Sequence, residues 1–236
     1  MLELTITGLH AIEAALQSPY ARVHRLEGTE RGLEKIQVTL ENLKKKPAIS
    51  IKSPSYFDEK DGKHQGLQAV VSLNIYSDLQ ELDDWENMKT ILVLDHLQDP
   101  QNLGSALRHA VAFHVDAVII PKHKAAPITS VVSSASAGCL FNIPVIQVTS
   151  FIHTLQTLKK LGFGLIGTSV QKAQKLDSSV FWPKSALVIG HEGKGSSSTV
   201  LQECDTLVHI PISPHCQSLN AAVTAALICY ERAKIL

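Results

Sequence analysis

Apolar positions follow two different rhythms along the 236 residues, and the rhythm changes near residue 76. Before that point the elements are short and mixed. Leu9, Ile12, Ala15 and Leu16 recur at helical spacing within residues 8–17, and Leu33, Ile36, Leu40 and Leu43 do so within 32–46. That second predicted helix ends in Lys44–Lys45–Lys46, cations suited to a helix C-terminus. Residues 23–26, 48–51 and 67–73 are predicted strands. From residue 89 onward, continuous apolar runs at 90–94, 117–120, 145–148, 164–167, 186–189 and 207–210 alternate with helical stretches at 103–113, 131–138, 151–161 and 218–236. Strands apolar throughout, separated by helices, predict a parallel sheet covered on both faces. No internal repeat interrupts the pattern.

Charge sharpens this division. Residues 1–75 carry ten basic and nine acidic side chains, whereas residues 76–88 carry five acids and no base. Residues 89–236 carry twelve basic and eight acidic side chains, with eight of the eleven histidines. The chain is therefore expected to comprise a small αβ domain over 1–75, an acidic linker over 76–88 and an α/β domain over 89–236. The zero net charge conceals a mildly basic C-terminal body, which permits an RNA partner without requiring one. The 44% hydrophobic content excludes disorder. No apolar run approaches the roughly 18 residues that span a bilayer. The first residues, Met1–Leu2–Glu3–Leu4, do not resemble a secretory signal, so a soluble cytoplasmic protein is expected. Cys139, Cys204, Cys216 and Cys229 form no C-x-x-C pair, against a disulfide framework or a cysteine zinc site.

Open α/β sheets bind ligands beyond the carboxyl ends of their strands. The usual nucleotide motifs are missing there. No G-x-G-x-x-G follows the first strand, and Gly195 is followed by Ser196 where a P-loop needs Lys. Three other loops carry polar groups. The first runs from Asp99–Pro100 through Asn102 and Gly104 to Arg108. Asn102 is placed to cap the following helix, and Arg108 is either a solvated helix residue or a functional cation. The second, Gly190–His191–Glu192–Gly193–Lys194–Gly195, is either a plain turn or a loop whose glycines let backbone approach a ligand. The third runs from Ile210–Pro211 to Ser218–Leu219–Asn220, where Ser218 and Asn220 are again natural helix caps. Each motif alone leaves both readings open.

Taken in order, N-x-G-x-x-x-R, G-x-E-G-x-G and I-P…S-L-N-x-x-x-A closely resemble the SpoU (TrmH) family of RNA ribose 2′-O-methyltransferases, within the SPOUT class. The matching residues are Asn102, Gly104 and Arg108; Gly190, Glu192, Gly193 and Gly195; and Ile210, Pro211, Ser218, Leu219 and Asn220. Gly8–Leu9–His10–Ala11 and His64–Gln65–Gly66 resemble that family's appended ribosomal-protein-like substrate domain. The resemblance implies an α/β fold with a trefoil knot, S-adenosylmethionine as cofactor, and a homodimer whose active site is completed across the subunit interface. It implies that Gly190, Ile210, Leu219 and Thr168 hold the cofactor, and that Arg108, Asn102, Glu192, Ser218 and Asn220 carry the chemistry. Arg108 is expected to grip the target's phosphate and polarise the hydroxyl.

An appended domain of this kind accompanies large-subunit rRNA enzymes, so the expected substrate is a guanosine 2′-hydroxyl of 23S rRNA. The alternatives are the same chemistry on tRNA, a noncatalytic RNA-binding or ribosome-assembly protein, and an unrelated nucleotide-binding enzyme. The sequence departs from the family pattern at Pro214, where a glycine is common. Proline removes an N–H and fixes φ, so the path of the third loop is at issue. Candidate RNA contacts are Lys122, His123, Lys124, Lys172, Lys175 and Lys194 in the larger domain and Arg22, Arg25, Arg31 and Lys44–Lys46 in the smaller. No metal is expected.

Overall fold

A computed structural model describes residues 1–58, 64–169, 173–191 and 195–236. Glu192, Gly193, Lys172 and Lys194 lie outside the described residues.

The N-terminal part comprises β1 (Leu2–Thr7), α1 (Leu9–Gln17), β2 (Ala21–Gly28), α2 (Glu30–Glu34), α3 (Gln37–Glu41), β3 (Ala48–Ile51), α4 (Ser55–Asp58) and β4 (Leu67–Leu73). Its strands pair in the order β1-β4-β2-β3, antiparallel except for β2 with β3. The helix expected over 32–46 is instead two short ones. Ile36, at φ −112° and ψ 12°, breaks the helical path between them, and the break lets Ile36 and Leu40 both enter the core. Lys44–Lys46 consequently lie beyond either helix and do not serve a helix dipole.

The larger part contains β5 (Ile75–Tyr76), β6 (Thr90–Leu94), α5 (Pro100–Ala112), β7 (Ala117–Pro121), α6 (Ser130–Ala135), β8 (Val145–Val148), α7 (Phe151–Lys160), β9 (Gly164–Thr168), β10 (Gln174–Lys175), β11 (Ser185–Ile189), α8 (Ser198–Glu203), β12 (Thr206–His209) and α9 (Ala221–Ala233). Its strands form one parallel sheet in the order β10-β12-β9-β11-β6-β7-β8-β5. Every residue of β6, β7 and β11 is buried, as expected of strands covered on both faces. The chain builds outward from β6 to β7 and β8, then crosses to the other side. There β11 inserts between β6 and β9, and β12 lies beyond β9. The carboxyl ends of β6, β11, β9 and β12 are thereby adjacent.

The acidic stretch 76–88 is packed rather than free. Its first residue belongs to β5 at the sheet edge, and Leu79 and Leu82 enter the apolar cluster around Phe151, Leu155 and Leu158. Its carboxylates stay outside, where they keep that edge soluble. Among the described residues no helix is long and apolar enough to cross a membrane.

The two parts share one continuous core, running from Ile6, Ile12 and Leu26 to Leu92, Leu107 and Phe141. Their closest approach is at Gly138, which has φ +87°. A Cβ there would stand 2.7 Å from the His10 carbonyl oxygen and 3.0 Å from Ala11 Cα. Nearby, Ser18 Oγ donates to the Phe141 carbonyl at 2.5 Å. Gly138→Ala combines a strained backbone angle with a collision between the two parts. It is expected to destabilise by about 2 kcal/mol, and so to lower Tm in a calorimetric scan by roughly 4–8 °C.

Candidate active site at the strand ends

The first motif loop starts α5, but not as the sequence suggests. Asp99 is the cap, its carboxylate accepting from Gln101 N at 2.9 Å, and Pro100 occupies the first helical position. The expectation that Asn102 caps α5 is corrected: Asn102 lies inside the first turn, where its own amide is not needed by the helix end. Asn220 Nδ2 donates to Asn102 Oδ1 at 2.9 Å. Asn220 is itself the cap of α9, its Oδ1 accepting from Ala222 N at 2.8 Å and Val223 N at 3.3 Å. One side chain therefore starts the last helix and ties it to the first motif.

The same seam continues along α5 at helical spacing. His109 Nδ1 lies 3.1 Å from the Ala222 carbonyl, so the Nδ1–H tautomer donates to it. Phe113 meets Tyr230 edge to face at 5.6 Å. Arg108 stands beside this seam on the exposed face of α5 with Gln101 and Ala112. Among the described residues no carboxylate is ion-paired with it. Its positive charge reaches Cys139, on the turn after α6: burial pushes that thiol up, and the Arg108 charge opposes the rise.

Three of the expected cofactor residues end adjacent strands. Thr168 closes β9, with Oγ1 3.5 Å from the Val188 carbonyl. Gly190 follows β11, and Ile210 follows β12, half-buried. The second loop folds back on itself through Gly195 N donating to the His191 carbonyl at 2.9 Å. A Cβ at Gly190 would stand 2.2 Å from Ser196 N, so glycine is required here for the loop to close on its own backbone. In the third loop Cys216 N donates to Ser213 O at 2.9 Å around Pro214, and residues 211–218 are exposed. Ser218 is not a helix cap, because α9 begins at Ala221. Its carbonyl accepts from Cys216 Sγ at 3.3 Å. Leu219 is half-buried between Ser218 and the cap.

Sequence reasoning passed over three polar groups at these strand ends. Asp95 is buried at the end of β6, with its backbone N–H donating to Ile189 O at 2.8 Å. It lies 2.5 Å from His96 Nδ1, and His96 itself has φ +57°. A carboxylate and an imidazole directly after an apolar strand were the available signal. The third is Ser196, 8% exposed, whose Oγ has no hydrogen-bond partner among the described residues. An unpaired buried hydroxyl costs about 1–3 kcal/mol, and nothing in the sequence distinguishes it from the serines that follow. The buried cysteines do not add a nucleophile. Burial pushes the Cys204 and Cys229 thiols up to about 12, so both stay protonated at neutral pH. Among the described residues no three His, Cys, Asp or Glu side chains gather as a metal site.

Residues 89–230 match a family described as the SpoU rRNA Methylase family. A Staphylococcus aureus protein assigned to the TrmH family of tRNA/rRNA methyltransferases is 37% identical over 239 residues, covering 98% of this chain and 96% of that protein. Among solved structures, the SpoU methyltransferase AviRb from Streptomyces viridochromogenes, in complex with AdoMet, is alike in fold. Its TM-score is 0.79 at 24% identity, over 98% of this chain and 90% of that one. A structure described as an RNA 2′-O ribose methyltransferase gives a TM-score of 0.75 at 26% identity, over 99% and 90%.

The two-sided use of Asn220 makes it the most exposed weak point of the site. Asn220→Ala removes the cap and the tie together and is expected to lower the unfolding free energy by about 1–2 kcal/mol. Asn102→Ala, which loses the tie but leaves the cap of α9, should cost about 1 kcal/mol or less. Urea titrations of both variants check the order.

Proposed function

The chain belongs to the SpoU rRNA methylase family and is an RNA methyltransferase, and we propose that it methylates a ribose 2′-hydroxyl in structured RNA, a guanosine of 23S rRNA, using S-adenosylmethionine in the cytoplasm. The observation that carries this reading is the Asn102–Asn220 bond. It joins motif loops 118 residues apart and ties the start of α9 to α5, the helix that carries Arg108. The preference for rRNA rests on the N-terminal domain, which has its own sheet and is packed onto the larger domain.

The groups at the strand ends suit S-adenosylmethionine. Ile210 and Leu219 are half-buried apolar side chains, Thr168 and Gly190 end neighbouring strands, and the Ser196 hydroxyl is buried with no partner of its own. When bound, that cofactor supplies a methyl group already electrophilic on a sulfonium. The remaining difficulty is the ribose hydroxyl, scarcely ionised at neutral pH. Arginine keeps its proton in proteins, so Arg108 is not the base. Its fork instead holds a phosphate by two parallel hydrogen bonds and polarises the hydroxyl, with a phosphate oxygen in place to take the proton. Asn102 and Asn220 position the helix that bears Arg108. Ser218 and Glu192, the latter outside the described residues, are assigned to the same set from their places in the motifs.

The path of the chain supports a trefoil knot at these loops. From β11 it passes over β9 to β12, then returns past both strands to lay α9 against α5 and β11. A homodimer packed through α9 is supported by Val223, Leu227 and Tyr230, apolar or aromatic side chains exposed at i, i+4 and i+7 beside Arg108's helix.

Tritium transfer from labelled S-adenosylmethionine to unmodified 23S rRNA and to tRNA, offered separately, tests the reaction. Transfer to rRNA alone, leaving one site resistant to alkaline cleavage, is expected. Arg108→Ala should abolish transfer while cofactor affinity by calorimetry stays within a few-fold; a fully active variant rejects the role. Leu227→Arg should sediment as a monomer and lose at least about tenfold in activity, the loss expected of an interface built on few anchors.

A further inference from the structure

We infer that a basic groove on the N-terminal domain, opened where β3 begins only opposite the middle of β2, holds the phosphate backbone of the RNA, with Arg22, His24, Lys45 and Lys46 as its contacts. This inference rests on the RNA methyl-transfer reading above and says where on the chain the substrate is held.

The groove follows from strand register. The β2–β3 ladder begins only at Arg25, paired with Ala48. Residues 21–24 therefore have no strand beside them on that side, and the chain arriving at β3 through Lys45, Lys46 and Pro47 stands off from them. The space left has a volume of about 560 Å³, within the roughly 300–1,000 Å³ of ordinary ligand sites. Its floor is apolar, from Leu16, Val23, Leu43 and Pro47, and its rim carries the four basic groups. No carboxylate lines it.

A β-bulge sharpens the rim. The β2–β4 register shifts between Val23 and Arg25, so His24 is the extra residue, and its Nε2 lies 2.7 Å from Ser72 Oγ. Bulges re-aim side chains in this way. His24 lies two residues from Arg22 on the same strand and lines the groove with it.

Charge commitments separate these cations from their neighbours. Arg25 and Lys52 lie 3.6 and 3.5 Å from the buried carboxylate of Glu27, so their charge is used within the sheet. Among the described residues, Arg22, Lys45 and Lys46 make no such pair. Three cations without a carboxylate partner, around a concave floor that accepts sugar and base faces, match a phosphodiester backbone.

The test is filter binding of the full-length protein to unmodified 23S rRNA transcript across a KCl series. The comparison is between wild type, the triple variant Arg22→Ala/Lys45→Ala/Lys46→Ala, and Lys35→Ala, whose exposed lysine lies outside the groove. The triple variant is expected to bind at least tenfold more weakly, and the slope of log K against log [salt] to fall by about one per contact removed. Lys35→Ala should bind like wild type, and all three proteins should bind S-adenosylmethionine alike with unchanged Tm. Wild-type affinity and slope in the triple variant overturn the groove, and so does an equal loss in Lys35→Ala, which would mean diffuse charge. Loss of binding to an acidic peptide with RNA binding intact also overturns it. If wild type methylates RNA and the triple variant is unimpaired, only the groove falls. If wild type neither methylates nor binds RNA, the functional reading falls with it.

Discussion

The arrangement of the site depends on the last helix being held at both ends. At its start, the Asn220 side chain satisfies the helix's own amides and bonds Asn102. Near its end, Arg232 is 3% exposed. Its Nε donates to Thr90 Oγ1 at 3.1 Å, and its Nη2 donates to the carbonyls of Pro183 at 2.8 Å and Lys89 at 3.4 Å. Burial draws this guanidinium's pKa below its ordinary value, with the Asp116 charge opposing, yet arginine remains a cation at such a site. A buried charge must be solvated by protein dipoles. Only one placement of α9 supplies all three acceptors, and that placement puts Asn220 next to Asn102.

The strand order then determines what this clamp can hold. Insertion of β11 between β6 and β9 brings Thr168, Gly190, Ile210 and the buried Asp95 with its half-buried partner His96 to one edge of the sheet. Gly190 must lack a side chain because the Ser196 amide packs where its Cβ would stand. Among the described residues the buried Ser196 hydroxyl at that edge has no hydrogen-bond partner.

The two parts of the molecule also act as one body. Their apolar clusters merge around α1, α6 and Gly138, so the smaller domain has a fixed orientation toward the face of α5 that carries Arg108. A substrate held on the N-terminal domain would meet the methyl-transfer loops by geometry rather than by a flexible tether. The acidic connection is itself part of the edge packing, with its charges turned to solvent.

Much of this architecture was legible in the chain. Predominantly apolar runs located β4, β6 and β8 to the residue, because largely buried strands stand out against the polar residues and turns that flank them. The three ordered loop motifs pointed to Arg108, Asn102 and Asn220, since helix starts beyond strands are where local chemistry concentrates. Other features were out of reach of sequence. The break at Ile36 serves burial of two side chains at once, and α8 is too short to show a periodicity. The role of Asn102 was misjudged because Asp99, three residues earlier, is an equally good cap; only the arrival of Asn220 shows what Asn102 is for. The N-terminal groove depends on where β3 begins beside β2, a matter of register between strands. Local pattern determined most of the elements and pointed to the candidate groups. Tertiary packing alone decided their partners, because the buried guanidinium, the paired amides and the unfilled strand edge exist only once distant segments meet.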